Sequence, residues 1–194
     1  MTFRLSTAVL LLVVATALAA GGCTPPDNRG DNGDYDPVPG GQGIPEGTYA
    51  GTLECTETTS LVQEGQDETL LGQTTPSFSV AFSFDDSGGL LDSNRDPIVV
   101  GSTDSTTISG QTATGTVRSV DKAVDRLEVV ADATATVEVT GYGTLPMIGV
   151  VTAVYEFAEP NTVTLVTDKV FTSNLVDSQF IKIVAECSAT LPYQ

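Results

Sequence analysis

The chain has 194 residues, of which 25 are acidic and 8 basic, with no histidine and no tryptophan, for a formal net charge of −17. That charge repels the phosphate backbone of DNA or RNA, and the lack of imidazole removes Ser-His-Asp and Cys-His nucleophiles along with histidine-bearing zinc sites. The sequence accordingly reads as a non-enzyme that needs no metal and no cofactor and has no nucleic-acid partner.

The first element is an export signal. Arg4 supplies a short basic start, residues 8–20 are apolar apart from Thr16, and small residues follow. A core of this length is too short to span a bilayer comfortably and has the order of a secretory signal. Ala20-Gly21-Gly22-Cys23 closes it, and this stretch resembles the lipobox of bacterial lipoproteins, with Ala20 where that family usually has Leu. The resemblance implies cleavage just before Cys23, diacylglycerol on its sulfur and, often, a further acyl chain on its new amino group. Two or three acyl chains hold a protein stably on a membrane, since each buried methylene contributes about 0.8 kcal/mol. Thr24, rather than Asp, follows the anchor, which in the lipoproteins of two-membrane bacteria permits sorting to the outer membrane. The implied address is the extracytoplasmic side of the cell envelope, with the covalent lipid as the membrane contact. The alternative is an ordinary secretory signal in which Cys23 is incidental.

Residues 23–43, "CTPPDNRGDNGDYDPVPGGQG", read as the lipidated Cys and an acidic tether. Apolar side chains are almost absent, so no core offsets the entropy of ordering it. Arg29-Gly30-Asp31 spells a cell-adhesion tripeptide, but three common residues in a Gly/Asp linker carry no assignment. Asp27, Asp31, Asp34 and Asp36 lack the alternating ligands and closing Glu of an EF-hand loop. With the signal (residues 1–22) removed, 172 residues remain at a net charge of −18, and residues 44–194 form one domain large enough to bury a core.

Through that domain the apolar residues recur with a period of two, which predicts strands. In 48–55 Tyr49, Gly51, Leu53 and Cys55 share a face, and in 77–84 Phe78, Val80, Phe82 and Phe84 do. The turn 85–89, "DDSGG", permits positive φ, and Asp85-Asp86 within it read as solvated turn formers. In 92–97, "DSNRDP", Asp92, Asn94 and Asp96 alternate like the first half of a calcium loop, but Pro97 and Thr103 stand where Gly and Glu are required. The segments 61–75 and 86–111 read as long loops carrying short strands. Residues 127–139 alternate cleanly, with Leu127, Val129, Ala131, Ala133, Ala135, Val137 and Val139 on one face, and 149–157, 162–171 and 180–191 continue the pattern. The 28 threonines suit pleated, half-exposed surface.

Cys55 and Cys187 remain once Cys23 is lipidated, and an exported pair is expected to form a disulfide. Both lie in phase with apolar neighbours, so both are expected to point inward, at the seam of a closed sheet. The alternative is two separate buried thiols. The expected architecture is all-β: one antiparallel meander of about eight strands, curled into a closed or partly closed barrel, with a two-sheet sandwich as the alternative.

The order "GTYAGTLEC…FSVAFSFDDSGGLLD…CSATL" resembles the lipocalin-like meander barrels found in some bacterial lipoproteins, over about 150 residues. Gly47-Thr48-Tyr49 stands in for that family's Gly-x-Trp. Two functions follow as expectations. The first is a non-catalytic envelope protein with a structural or partner-binding role. The other is a carrier of a small apolar ligand, held in a lumen left by Ala131, Ala133, Ala135, Gly149 and Ala153 and lined by Phe78, Phe82 and Phe84.

Overall fold

Alternation along the chain becomes ten antiparallel strands in the computed structural model, which describes residues 44–108, 111–158, 161–175 and 178–194. The export signal, Cys23 and the tether lie outside these residues. The strands are β1 (Gly47–Gln63), β2 (Thr69–Thr74), β3 (Ser77–Phe84), β4 (Leu90–Leu91), β5 (Thr103–Ile108), β6 (Gln111–Lys122), β7 (Arg126–Val139), β8 (Gly143–Ala158), β9 (Thr162–Asn174) and β10 (Gln179–Pro192). No helix occurs among the described residues.

All ten belong to one sheet, ordered β4-β3-β1-β10-β9-β8-β7-β6-β5, with β2 paired to the second half of β1. This is a meander curled into a partial barrel, and a single continuous sheet excludes the two-sheet sandwich. Tyr155 on β8 meets Phe82 and Phe84 on β3 edge to face, so the curl brings opposite walls into contact.

The first and last strands do pair, and Cys55 and Cys187 face each other in that ladder and are joined by a disulfide. The open seam, however, lies elsewhere, between β4 and β5. It is bridged by the backbone of 97–102: Ile98 N donates to Leu90 O, Gly101 N to Val117 O, and Val117 N to Ser102 O. A two-residue β4 is too short to reach the far edge, so loop main chain takes its place.

Most inward positions are apolar, while the outer wall mixes polar side chains with the valines Val150, Val154, Val166 and Val170 of β8 and β9. On β7, Leu127, Val129, Ala131, Ala133, Ala135, Val137 and Val139 are buried, whereas Asp132, Thr134 and Glu138 are exposed. The outer wall also presents Glu54 and Glu186, and the only large exposed apolar stripe on β8 and β9 among the described residues is Ile148, Val166 and Val170. A lipid-spanning barrel has the reverse arrangement, an apolar band outside.

The interior divides into two apolar clusters. One contains Tyr49, Leu53, Phe82, Phe84, Tyr155 and Leu165, the other Ala133, Ala135, Met147, Phe171, Ile181 and Ile183. In the second, a Cβ on Gly149 would collide with the Val170 carbonyl and the Phe171 ring, so only glycine lets β8 and β9 pack this closely.

Candidate functional site

Three places hold chemistry: a polar belt across the barrel interior, the loops after β3 and β4, and a recess at the seam.

The belt follows from register. Glu57 on β1 opposes Ala185 on β10, and Ala185 opposes Lys169 on β9, so two long charged side chains flank one methyl group on the inner wall. Both are buried, at 2% and 1% exposure. Burial drives the Glu57 carboxyl up to about 7 against the pull of Lys169, and burial brings the Lys169 amine down to about 7 against the pull of Glu57. Thr59, Thr167 and Ser173 extend the belt. Glu57 Oε2, Thr167 Oγ1 and the Tyr155 hydroxyl are buried with no hydrogen-bond partner in the protein. Burial also pushes the Tyr155 hydroxyl upward, so it stays protonated. Sequence reading missed Glu57 and Lys169. Their signal was nevertheless present, because each falls in phase with apolar neighbours: Glu57 with Leu53 and Cys55, Lys169 with Leu165 and Phe171. A charge on the buried phase of a strand needs a partner.

The three phenylalanines expected to line a ligand site are held together on β3, but they fill space. Phe82 and Phe84 are 1% exposed, with ring centroids 5.3 and 5.6 Å from Tyr155, and Tyr49 packs against Phe84 at 5.7 Å. Phe78 is half-buried against the same cluster. None of the three lines the seam recess described below. The run of small residues has the matching explanation: Ala133, Ala135 and Ala153 are buried in apolar clusters, where they let facing walls approach.

Both acidic loops are self-closed turns. Asp85 Oδ1 accepts from Ser87 N, Ser87 Oγ and Gly89 N, with Gly88 at φ 73°. Asp92 Oδ1 accepts from the amides of Asn94 and Asp96. These carboxylates shape the backbone. Among the described residues no group of three His, Cys, Asp or Glu side chains is placed to hold a metal.

The recess lies where loop main chain replaces a strand. It measures about 190 Å³, with Leu90, Ile98, Val117, Val129 and Ala131 as its floor and Asp92, Ser102, Thr103 and Asp104 at its rim. In sequence the segment 86–111 reads as a long loop carrying short strands. The bulge between Val117 and Ser119 breaks the period of two in β6, so the strand forming one wall escaped notice.

No protein-family model matches the sequence, and no curated protein matches it. Two solved structures are similar in outline. Ail, the attachment invasion locus protein of Yersinia pestis, is 10% identical, with 75% of this chain and 99% of that one covered at a TM-score of 0.33. Neisserial surface protein A is 12% identical, with 77% and 100% covered at a TM-score of 0.29. At those scores the overlay is loose and adds nothing to what this chain's own residues show.

Proposed function

We propose that the protein is a lipid-anchored, extracytoplasmic β-barrel domain with a non-catalytic, structural or partner-binding role in the cell envelope. The observation that carries this reading is the buried cross-strand disulfide Cys55–Cys187, since such bridges form and persist outside the reducing cytosol. Three further features support it. The lipobox-like Ala20-Gly21-Gly22-Cys23 supplies an anchor. The carboxylates Glu54, Asp132, Glu138 and Glu186 on the outer wall suit a body held beside the bilayer by acyl chains rather than inserted in it. Among the described residues the strongly perturbed acid–base pair is Glu57 with Lys169, and both are buried inside the barrel. The carrier reading in its original form, with a central lumen, is not favoured, because aromatic rings occupy the centre of one apolar cluster.

The test is metabolic labelling with a fatty acid, comparing wild type with Cys23→Ser. Label in the wild type and none in the variant, with the variant released from the membrane fraction, is the expected outcome. Equal labelling of both, or of neither, overturns the anchor.

A further inference from the structure

We propose that the seam recess between β4, the 92–104 loop and the inner faces of β6 and β7 is a binding site for a small apolar cation: one ring bearing an ammonium group.

Four observations converge on this ligand. First, the recess is a cavity at the seam whose floor residues Leu90 and Val129 belong to the aromatic core cluster. Its floor joins the strand residues Leu90, Val117, Val129 and Ala131 to Ile98 of the bridging loop, so it is a pocket where the loop completes the sheet wall. Second, the floor is apolar and leaves room, because Gly115 and Ala131 contribute little side chain to it. A site of about 190 Å³ admits a one-ring molecule, since an engineered cavity of about 150 Å³ takes benzene. Third, the polar groups are confined to the rim, and the charged ones are of one sign. Asp92 and Asp104 line it and no Lys or Arg does; Arg95 is exposed at the tip of the same loop, outside the lining. Fourth, the rim is held in place. Asp92 is fixed by two backbone amides, Ser102 Oγ accepts from Val99 N, and Thr103 bonds Thr116 across the β5–β6 ladder. An apolar floor with a few fixed polar groups is the usual build of a small-molecule site. A net charge of −17 raises the local concentration of cations and lowers that of anions.

The site requires nothing of the lipid anchor, so its failure and that of the anchor are read by different experiments. The probes are 4-(trifluoromethyl)benzylammonium and 4-(trifluoromethyl)benzoate, which share a ring and differ in the sign of their charge. Each is titrated into the full chain purified in a non-ionic detergent, with the detergent alone as reference, and the ¹⁹F line width is followed. The ammonium probe is expected to broaden and to be displaced by unlabelled benzylammonium, with the benzoate at least about tenfold weaker. Ala131→Leu, which fills the floor, should abolish the broadening. Asp104→Asn sits on the exposed rim and leaves the core untouched; it should weaken the ammonium probe by about fivefold, the effect of one charge removed near a surface site. Equal broadening by both probes, no broadening by the ammonium at millimolar concentration, or an unchanged affinity in Asp104→Asn overturns the proposal.

Discussion

The two ends of the barrel interior are built from different side chains. At one end Tyr49, Phe82, Phe84 and Tyr155 stack edge to face, and Tyr193 closes over Tyr49 at 5.5 Å. At the other, Phe171 is the single aromatic ring of the buried cluster, among alanines, valines and isoleucines. The Glu57–Lys169 belt lies between them. The difference tracks how the sheet is closed. At the aromatic end loop main chain spans the seam and a disulfide clips β1 to β10. At the aliphatic end no ladder joins β2 to β5 among the described residues, and small side chains instead let the walls approach. Wide closure needs large fillers, and collapse needs small ones.

Breaking the clip should have the largest effect. The bridge joins residues 132 positions apart, and in the chain-entropy account that constraint contributes about 5 kcal/mol. Cys55→Ala/Cys187→Ala should therefore lower the urea midpoint without changing the strand content seen by circular dichroism. Hydrogen exchange should locate the loss first in β1 and β10 at the aromatic end. An unchanged midpoint would mean that the β1–β10 ladder alone holds that end.

Legibility in sequence divides the aromatic end itself. The phase of Phe78 to Phe84, of Cys55 and of Cys187 is unbroken, and the structure keeps each on the predicted face. The pairing of β1 with β10 follows from the cysteines themselves. At the seam of that same end, legibility fails where the period fails: the bulge in β6 shifts Val120 into the phase that Val117 would have set for residue 119, and β4 is two residues long. The recess at the seam could not be foreseen for the same reason. It is made by a loop substituting for a strand, which is a fact of closure geometry and not of any local pattern. The belt was readable in principle from a charged residue on each buried phase, but only register shows that Glu57 and Lys169 meet across Ala185.

The belt supplies the next prediction, smaller than the first at its lower bound. Lys169→Met leaves Glu57 buried without its cation and should cost about 3–5 kcal/mol near neutral pH, whereas Glu57→Leu/Lys169→Met should be neutral or stabilising by about 1–4 kcal/mol. The pH dependence gives the sign. Glu57 is raised from 4.5 to about 7 in the fold, so its stabilising contribution is complete below 4.5 and is lost as pH rises through about 7. Lys169 is lowered from 10.5 to about 7, so its contribution is complete above 10.5 and is lost as pH falls through about 7. Relative to the double variant, the wild type should thus be least stable near pH 7 and gain in both directions. Urea denaturation of both proteins across that range checks it, and parallel pH profiles would show that the belt does not titrate with folding.

The smallest effect separates two buried tyrosines of the aromatic end that differ only in where their hydroxyls go. Tyr49 donates to the Pro45 carbonyl at 3.2 Å. The Tyr155 hydroxyl has no partner in the protein, although its ring contacts Phe82 and Phe84 as closely as any ring in the cluster. Removing a hydroxyl that makes a bond loses about 1 kcal/mol, while removing one buried without a bond relieves a desolvation cost of similar size. Tyr49→Phe should therefore destabilise by about 1 kcal/mol and Tyr155→Phe should be neutral or stabilising by about 1 kcal/mol, with both rings and their packing retained. Tyr49→Phe should melt below the wild type and Tyr155→Phe at or above it. If both fall below it, the Tyr155 hydroxyl is bonded to a trapped water, and the belt is then a hydrated layer between the two ends in place of a dry one.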